Sequence, residues 1–195
     1  MPDAAEPIAA AKSDWRSRLL AARRARDPEQ LDQARRALRA RVLDRVLASG
    51  WRAVAAYEPL RTEPGSSELL AELSDSGVRV LVPVLLPDRD LDWAVWSPSG
   101  ERAPLGLDAI ATVAAAFVPA LAVARDGTRL GRGGGSYDRA LARTAAPACA
   151  LIFDDEFVPE LPRDAWDRPV RAAVTPTAWI ELPRPPGVSG MPGWP

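Results

Sequence analysis

Histidine is absent from the 195 residues, and that absence excludes more chemistry than any other feature of the chain. Ser-His-Asp and Cys-His catalysis, imidazole acid–base work and the usual zinc sites each lose their central residue. Cysteine is nearly as scarce. Cys149 stands alone, which rules out an intramolecular disulfide and gives no sign of an oxidising compartment. Its setting, the small apolar run PACALIF, reads as a buried core thiol rather than a nucleophile. No window approaches the roughly 18 continuous apolar residues of a membrane-spanning helix. The opening MPDAAEPIAAAK lacks the basic start and apolar stretch of a secretion signal. These absences lead to the expectation of a cytoplasmic protein with no membrane partner.

What is present is ordinary in amount and uneven in placement. A hydrophobic content of 47% suffices for a sizeable core, and the length suits one domain. The net charge of −1 hides a basic start. From Lys12 to Arg52 cations outnumber acids by about seven, and the remainder is correspondingly acidic. Such a start reads either as a nucleic-acid surface or as two amphipathic helices with solvated cationic faces. The helical reading is preferred, because no RNA-module aromatic signature or zinc-finger spacing accompanies the charge.

Residues 13–27 and 29–48 read as helices broken at Asp27-Pro28. In the second, Leu31, Ala34, Leu38, Val42, Val46 and Leu47 recur at helical spacing, and Gly50 follows as a terminator. Beyond it short apolar runs alternate with helical segments. Strands are expected at 52–57, 78–86, 91–96, 112–121, 148–153, 170–175 and 178–182. Helices are expected at 66–77, capped by serine, and from the glycine run to about residue 146. Apolar strands alternating with helices specify an α/β fold, a mostly parallel sheet covered by helices on both faces in three layers. Ligands of such sheets bind beyond the carboxyl ends of the strands. One domain is expected over 12–183, preceded by a flexible 1–11 and followed by a Pro/Gly-rich tail, 184–195, that cannot bury a core.

The stretch RLGRGGGSYD, Arg129 to Asp138, follows a strand and opens a helix, so its amides converge where an anion would sit. It is not the dinucleotide fingerprint, which after Gly131 and Gly133 requires glycine where Ser136 stands. Nor is it a P-loop, since no Gly-Lys-Ser/Thr follows. Arg129 and Arg132 add fork-shaped positive charge suited to phosphate. Asp138 would repel phosphate directly but could hold a magnesium ion that bridges to it. A tight turn before a capped helix is the alternative.

With VPAL at 118–121, RLGRGGGSYD resembles the signature of the 5-formyltetrahydrofolate cyclo-ligase family. Lys12 and Arg16 resemble its N-terminal K-x-x-L-R element, with Trp15 in place of leucine. AAYEPLRTEPGSSELL (55–70), GVRVLVPVLLPDRDLDWAVW (77–96) and LPRDAWDRPVRAAVTPTAW (161–179) extend the likeness, in order, over most of residues 12–182. The resemblance implies an ATP- and Mg²⁺-dependent enzyme that closes 5-formyltetrahydrofolate to the 5,10-methenyl form, a monomer or weak dimer with no nucleic-acid partner.

Residue by residue, the resemblance implies that Lys12 and Arg16 contact ATP phosphates. Arg129, Leu130, Gly131, Arg132, Gly133, Gly134, Gly135, Ser136 and Tyr137 would form the nucleotide loop, with Arg132 and Lys12 catalytic. Asp138 and Asp167 would be magnesium ligands, and Tyr57 and Glu63 would lie near the folate. Four departures from the family accompany the likeness. Ser136 replaces a tyrosine, Ala124 replaces an aspartate, and the segment over 97–117 is short. Trp166 and Arg171 stand where polar and acidic residues are common. Trp93 and Trp96 fit sheet packing, and no tryptophan is assigned to the folate. A nucleotide- or folate-binding paralogue with little or no turnover is the alternative reading.

Overall fold

The computed structural model describes residues 5–183. The expected Pro/Gly-rich tail and the first four residues lie outside the described residues. Helix α1 spans Ala5–Ala25 and α2 spans Pro28–Ala48. The break between them sits at the expected place. Asp27 caps α2, its Oδ1 accepting from the amides of Glu29 at 2.9 Å and Gln30 at 3.2 Å, with Pro28 in the first turn. An aspartate N-cap followed by proline satisfies the open amides and pre-sets the first helical φ. Residues 5–11, expected to be a flexible lead-in, instead continue α1.

The main sheet has seven strands in the order β10-β9-β7-β4-β1-β2-β3. These are β1 Ala53–Ala55, β2 Arg79–Leu85, β3 Leu91–Val95, β4 Ala115–Pro119, β7 Ala148–Leu151, β9 Ala172–Val174 and β10 Trp179–Glu181. The five central strands run parallel, while β3 and β10 pair antiparallel at the two edges. From β1 the chain first builds outward through α3 (Ser67–Asp75) to β2 and β3. It then returns to the other side of β1 for β4, β7 and β9. The order therefore reverses between β1 and β4, which opens a crevice beyond their carboxyl ends.

Continuous apolar strands are explained by a sheet buried on both faces, with side chains alternating between two cores. Val54, Val80, Val82, Phe117, Cys149 and Val174 point to the face covered by α2 and α3, where Leu38, Val42, Val46, Leu70 and Leu73 meet them. Ala55, Leu81, Ala116, Val118, Ala150 and Ala173 point to the opposite face. That face is covered by α4 (Ser136–Leu141), by a 3-10 turn at Leu107–Thr112, and by a small second sheet. Each fully buried Val, Leu or Phe among them contributes about 1.5–3 kcal/mol relative to exposure. Cys149 is a core thiol, and Leu47, expected on the apolar face of α2, is 49% exposed. Neighbouring helical residues lie about 100° apart, and Val46 takes the core position.

The second sheet, β6-β5-β8, was not apparent in the sequence. Its strands, β5 Ala122–Ala124, β6 Arg129–Leu130 and β8 Phe157–Val158, are two or three residues long, too short to show a period. The expected strand over 112–121 is accordingly divided between the 3-10 turn, β4 and the approach to β5. The helix expected to reach residue 146 ends at Leu141. Pro147 disfavours helical backbone just before it, and Thr144 instead caps a turn by accepting from the Ala146 amide at 3.0 Å. No helix among the described residues is long and apolar enough to cross a membrane.

Candidate active site at the strand-order reversal

The β5–β6 hairpin aims the glycine loop at the crevice. Its turn is fixed by Asp126, which accepts from the Thr128 amide and hydroxyl, both at 2.9 Å. The Leu121 amide donates to the Leu130 carbonyl at 2.7 Å, so Gly131 leaves the small sheet directly over the ends of β1 and β4. Two of the three consecutive glycines are required by backbone angle. Gly133 has φ 98° and Gly135, which caps α4, has φ 69°, values that side-chain-bearing residues rarely adopt. Gly134 has no such constraint, and a Cβ built on it would meet only Ser136 Oγ, at 3.4 Å.

A cavity of about 730 Å³ occupies the crevice, and every site residue named from the sequence lines it. Lys12 and Arg16 enter from α1, Tyr57 and Glu63 from the loop after β1, Arg129 to Asp138 from the glycine loop, and Asp167 from the segment before β9. The sequence did not single out Asp164, Glu58, Leu60, Leu85 or Trp166, which also line it. Trp166 was noted only as a departure from the family, and here it stands on the wall, 66% exposed. Leu60 and Leu85 are 53% and 67% exposed. Exposed large apolar residues at a cavity mouth would have been a signal, but exposure is not visible in sequence.

Helix α1 reaches the site by polar contacts. Among its described side chains only Lys12 and Arg23 are buried. This corrects the expectation of a solvated cationic face. Lys12 Nζ donates to Asp164 Oδ2 at 2.7 Å and to Asp167 Oδ2 at 2.5 Å. Arg16 Nε donates to the Gly131 carbonyl at 2.9 Å. Farther along, Arg23 donates from Nε and Nη2 to the two carboxylate oxygens of Glu156, each at 2.7 Å, and from Nη2 to the Ala120 carbonyl at 2.6 Å. These three attachments recur on one face of the helix, which is why a cationic periodicity here encodes docking. The arginines of α2 act similarly. Arg35 donates to the carbonyls of Arg61 and Glu63, and Arg41 to that of Pro176.

Two further acid–cation pairs cross the cavity. Arg129 Nη2 donates to Asp138 Oδ1 at 3.0 Å, an oxygen that also accepts from the Arg168 amide at 3.2 Å. Arg132 Nε donates to Glu63 Oε1 at 3.2 Å, while Glu63 Oε2 accepts from the Leu60 amide at 2.9 Å. Burial, and then the Glu63 carboxylate, push the Tyr57 phenol well above its ordinary range, so it remains a protonated donor. The Tyr57 hydroxyl is buried without a hydrogen-bond partner among the described residues. An unpaired buried donor on a cavity wall is suited to a ligand acceptor. Burial likewise raises Tyr137.

Asp138 and Asp167, the expected metal ligands, are both engaged with cations. No group of three or more acids, histidines or cysteines able to hold a metal occurs among the described residues. This donor set fits a cation that takes one or two carboxylates and completes its shell with phosphate and water, which is how magnesium is usually held. Of the departures, Ser136 and Trp166 line the cavity, whereas Ala124, Arg171 and residues 97–117 do not. Ala124 is fully buried in β5 beside Val158, and Arg171 donates to the Leu182 carbonyl at 3.1 Å.

The sequence model of the 5-formyltetrahydrofolate cyclo-ligase family matches residues 8–176. The chain is 40% identical over 147 residues to a 5-formyltetrahydrofolate cyclo-ligase of Mycolicibacterium smegmatis, covering 66% of this chain and 76% of that one. In fold it is similar to a 5,10-methenyltetrahydrofolate synthetase from Mycoplasma pneumoniae, with a TM-score of 0.73 and 18% identity, over 85% of this chain and 98% of that one. It is also similar to the Aquifex aeolicus 5,10-methenyltetrahydrofolate synthetase, with a TM-score of 0.72 and 24% identity, over 92% of this chain and 96% of that one. With its cavity lined by the residues that carry the family signature, the chain belongs to the 5-formyltetrahydrofolate cyclo-ligase family.

Proposed function

We propose that this protein is a cytoplasmic ligase that uses ATP and Mg²⁺ to convert 5-formyltetrahydrofolate into 5,10-methenyltetrahydrofolate, releasing ADP and phosphate. The observation that carries the reading is that α1, the loop after β1, the glycine loop and the segment before β9 bring the signature residues to one cavity. They come from positions as far apart as Lys12 and Asp167. Beyond the ion pairs that dock α1 they leave Arg132, Tyr57 and the loop amides facing one open space, which supports a shared ligand.

The chemistry fits the residue types. The formyl group is an amide whose oxygen leaves poorly. Transfer of the γ-phosphoryl group to that oxygen gives an activated imidate, N10 attacks the carbon, and phosphate departs with the former amide oxygen. Phosphoryl transfer depends mainly on positioning and charge stabilisation, so a chain without histidine lacks nothing it needs. Lys12, Arg16, Arg132 and the loop amides would hold the phosphates. Asp138 and Asp167 would hold Mg²⁺, which when bound neutralises phosphate charge. Tyr57 and Glu63, with the apolar rim of Leu60 and Leu85, would face the folate.

The test is turnover: purified protein with 5-formyltetrahydrofolate, ATP and Mg²⁺, followed by the near-ultraviolet absorbance of the methenyl product. ATP-dependent product formation is expected. ATP binding without product would overturn the reading in favour of a nucleotide-binding relative with a different second ligand.

A further inference from the structure

Two carboxylates touch one ammonium in this cavity, and their surroundings differ. Lys12 is the only lysine of the chain, its side chain 9% exposed, with Asp164 at 2.7 Å and Asp167 at 2.5 Å. Asp167 Oδ2 also accepts from the Asp164 amide at 2.8 Å. The next residue, Arg168, donates its amide to Asp138 Oδ1, so the backbone at 167–168 ties the positions of Asp167 and Asp138 together. Asp164 has no such link to Asp138, and among the described residues its side chain bonds only to Lys12. One ammonium between two carboxylates leaves one surplus negative charge. The cavity is lined by four cations and five carboxylates, one of which, Glu58, is paired at 2.6 Å with Arg102 outside the lining. The remaining charges balance, and an anionic ligand gains net attraction once a divalent cation draws acids away.

We propose that Asp164 is the positioning residue for Lys12. It keeps the ammonium in the cavity when Asp167 turns with Asp138 toward the metal. The inference rests on the proposed ATP- and Mg²⁺-dependent reading. With Asp164 in place, Lys12 passes from a doubly paired state to a neutral pair and can direct its remaining protons at phosphate. Without it, Lys12 holds Asp167 alone and competes with the cation for that acid. Asp164→Asn keeps the backbone bond that closes the 164–167 turn and removes only the charge facing Lys12.

A single lysine makes the test direct. Protein labelled with ¹⁵N-lysine gives one side-chain ammonium and one backbone amide from Lys12, and the amide reports whether α1 stays docked. With Mg²⁺ and a non-hydrolysable ATP analogue, the wild type is expected to retain a protected ammonium signal. Asp164→Asn should lose that signal while the amide stays in place, and its KM for ATP should rise about tenfold with the folate KM unchanged. Asp167→Asn should keep the ammonium signal and instead raise the Mg²⁺ requirement. A protected ammonium in ligand-bound Asp164→Asn, or the same metal defect in both variants, overturns the assignment. If the analogue moves neither Lys12 signal in the wild type and ATP drives no turnover, the nucleotide reading falls with it.

Discussion

Arg132 and Glu63 meet across the cavity with Nε 3.2 Å from Oε1, yet the arginine side chain is 43% exposed and the glutamate 6%. Glu63 is fixed from below by the Leu60 amide, so the acid is the anchored partner and the guanidinium is the one free to turn. A half-exposed ion pair of this kind contributes at most about 1 kcal/mol to stability. In the proposed reaction the same guanidinium holds phosphate and stabilises charge more strongly as the phosphoryl group moves. Arg132→Ala should therefore lower kcat by about 100- to 1000-fold and shift the unfolding midpoint only slightly. Parallel losses in turnover and in thermal stability would reduce Arg132 to a structural role.

The glycine run separates backbone need from ligand need. Gly133→Ala places a Cβ at a φ of 98° and 3.3 Å from Arg16 Cζ, and should cost about 1–3 kcal/mol in denaturant unfolding. Gly134→Ala meets no comparable obstacle and should change stability by no more than about 0.5 kcal/mol. If phosphates lie against this loop, the same methyl should still weaken ATP binding several-fold. Unchanged affinity, read by calorimetry, would show that the ligand keeps clear of Gly134.

The side chains of Arg23 and Glu156 are 1% and 2% exposed, and α1 has no buried apolar side chain among those described. Removing one partner strands a charge in the interior. Arg23→Ala should cost about 3–5 kcal/mol, whereas replacing both residues with apolar ones of similar size should recover most of it. Chemical denaturation of the single and double variants decides this. A loss below about 1 kcal/mol for Arg23→Ala would mean that α1 is held by contacts elsewhere.

Leu85 sits at the end of β2 opposite Leu91 and is 67% exposed on the cavity rim. Leu85→Asn removes apolar area that only a ligand could cover. The folate KM should rise about fivefold, corresponding to about 1 kcal/mol of lost apolar contact, with the ATP KM and the unfolding midpoint unmoved. A change in the ATP KM alone would move the nucleotide to that wall.

Much of the fold was legible because burial on both faces leaves a simple trace. Runs such as VRVLVPVLL and TVAAAFVPAL supply strands covered on both faces, by α2 and α3 on one and by α4, the 3-10 turn and the small sheet on the other. Asp27-Pro28 states where one helix stops and another starts. The two- and three-residue strands β5, β6 and β8 carry no period, and they escaped notice although they are what aims the glycine loop. Helical spacing likewise does not separate Lys12, Arg16 and Arg23, which dock α1, from Arg18 and Arg24, which face solvent. A charge facing solvent and a charge facing a distant acid have the same helical spacing.

For the site, the sequence by itself determined the chemical inventory: no imidazole, one lysine, and an arginine-flanked glycine loop ending in an aspartate. It also favoured the local backbone, because glycine takes the positive φ at positions 133 and 135 without the strain a side chain would add. Which acid meets which cation was decided by the tertiary structure alone. Lys12 with Asp164, Arg132 with Glu63 and Arg23 with Glu156 are pairings between segments that the strand order brings together. Coulomb attraction depends on distance in space, and separation along the chain carries no record of it.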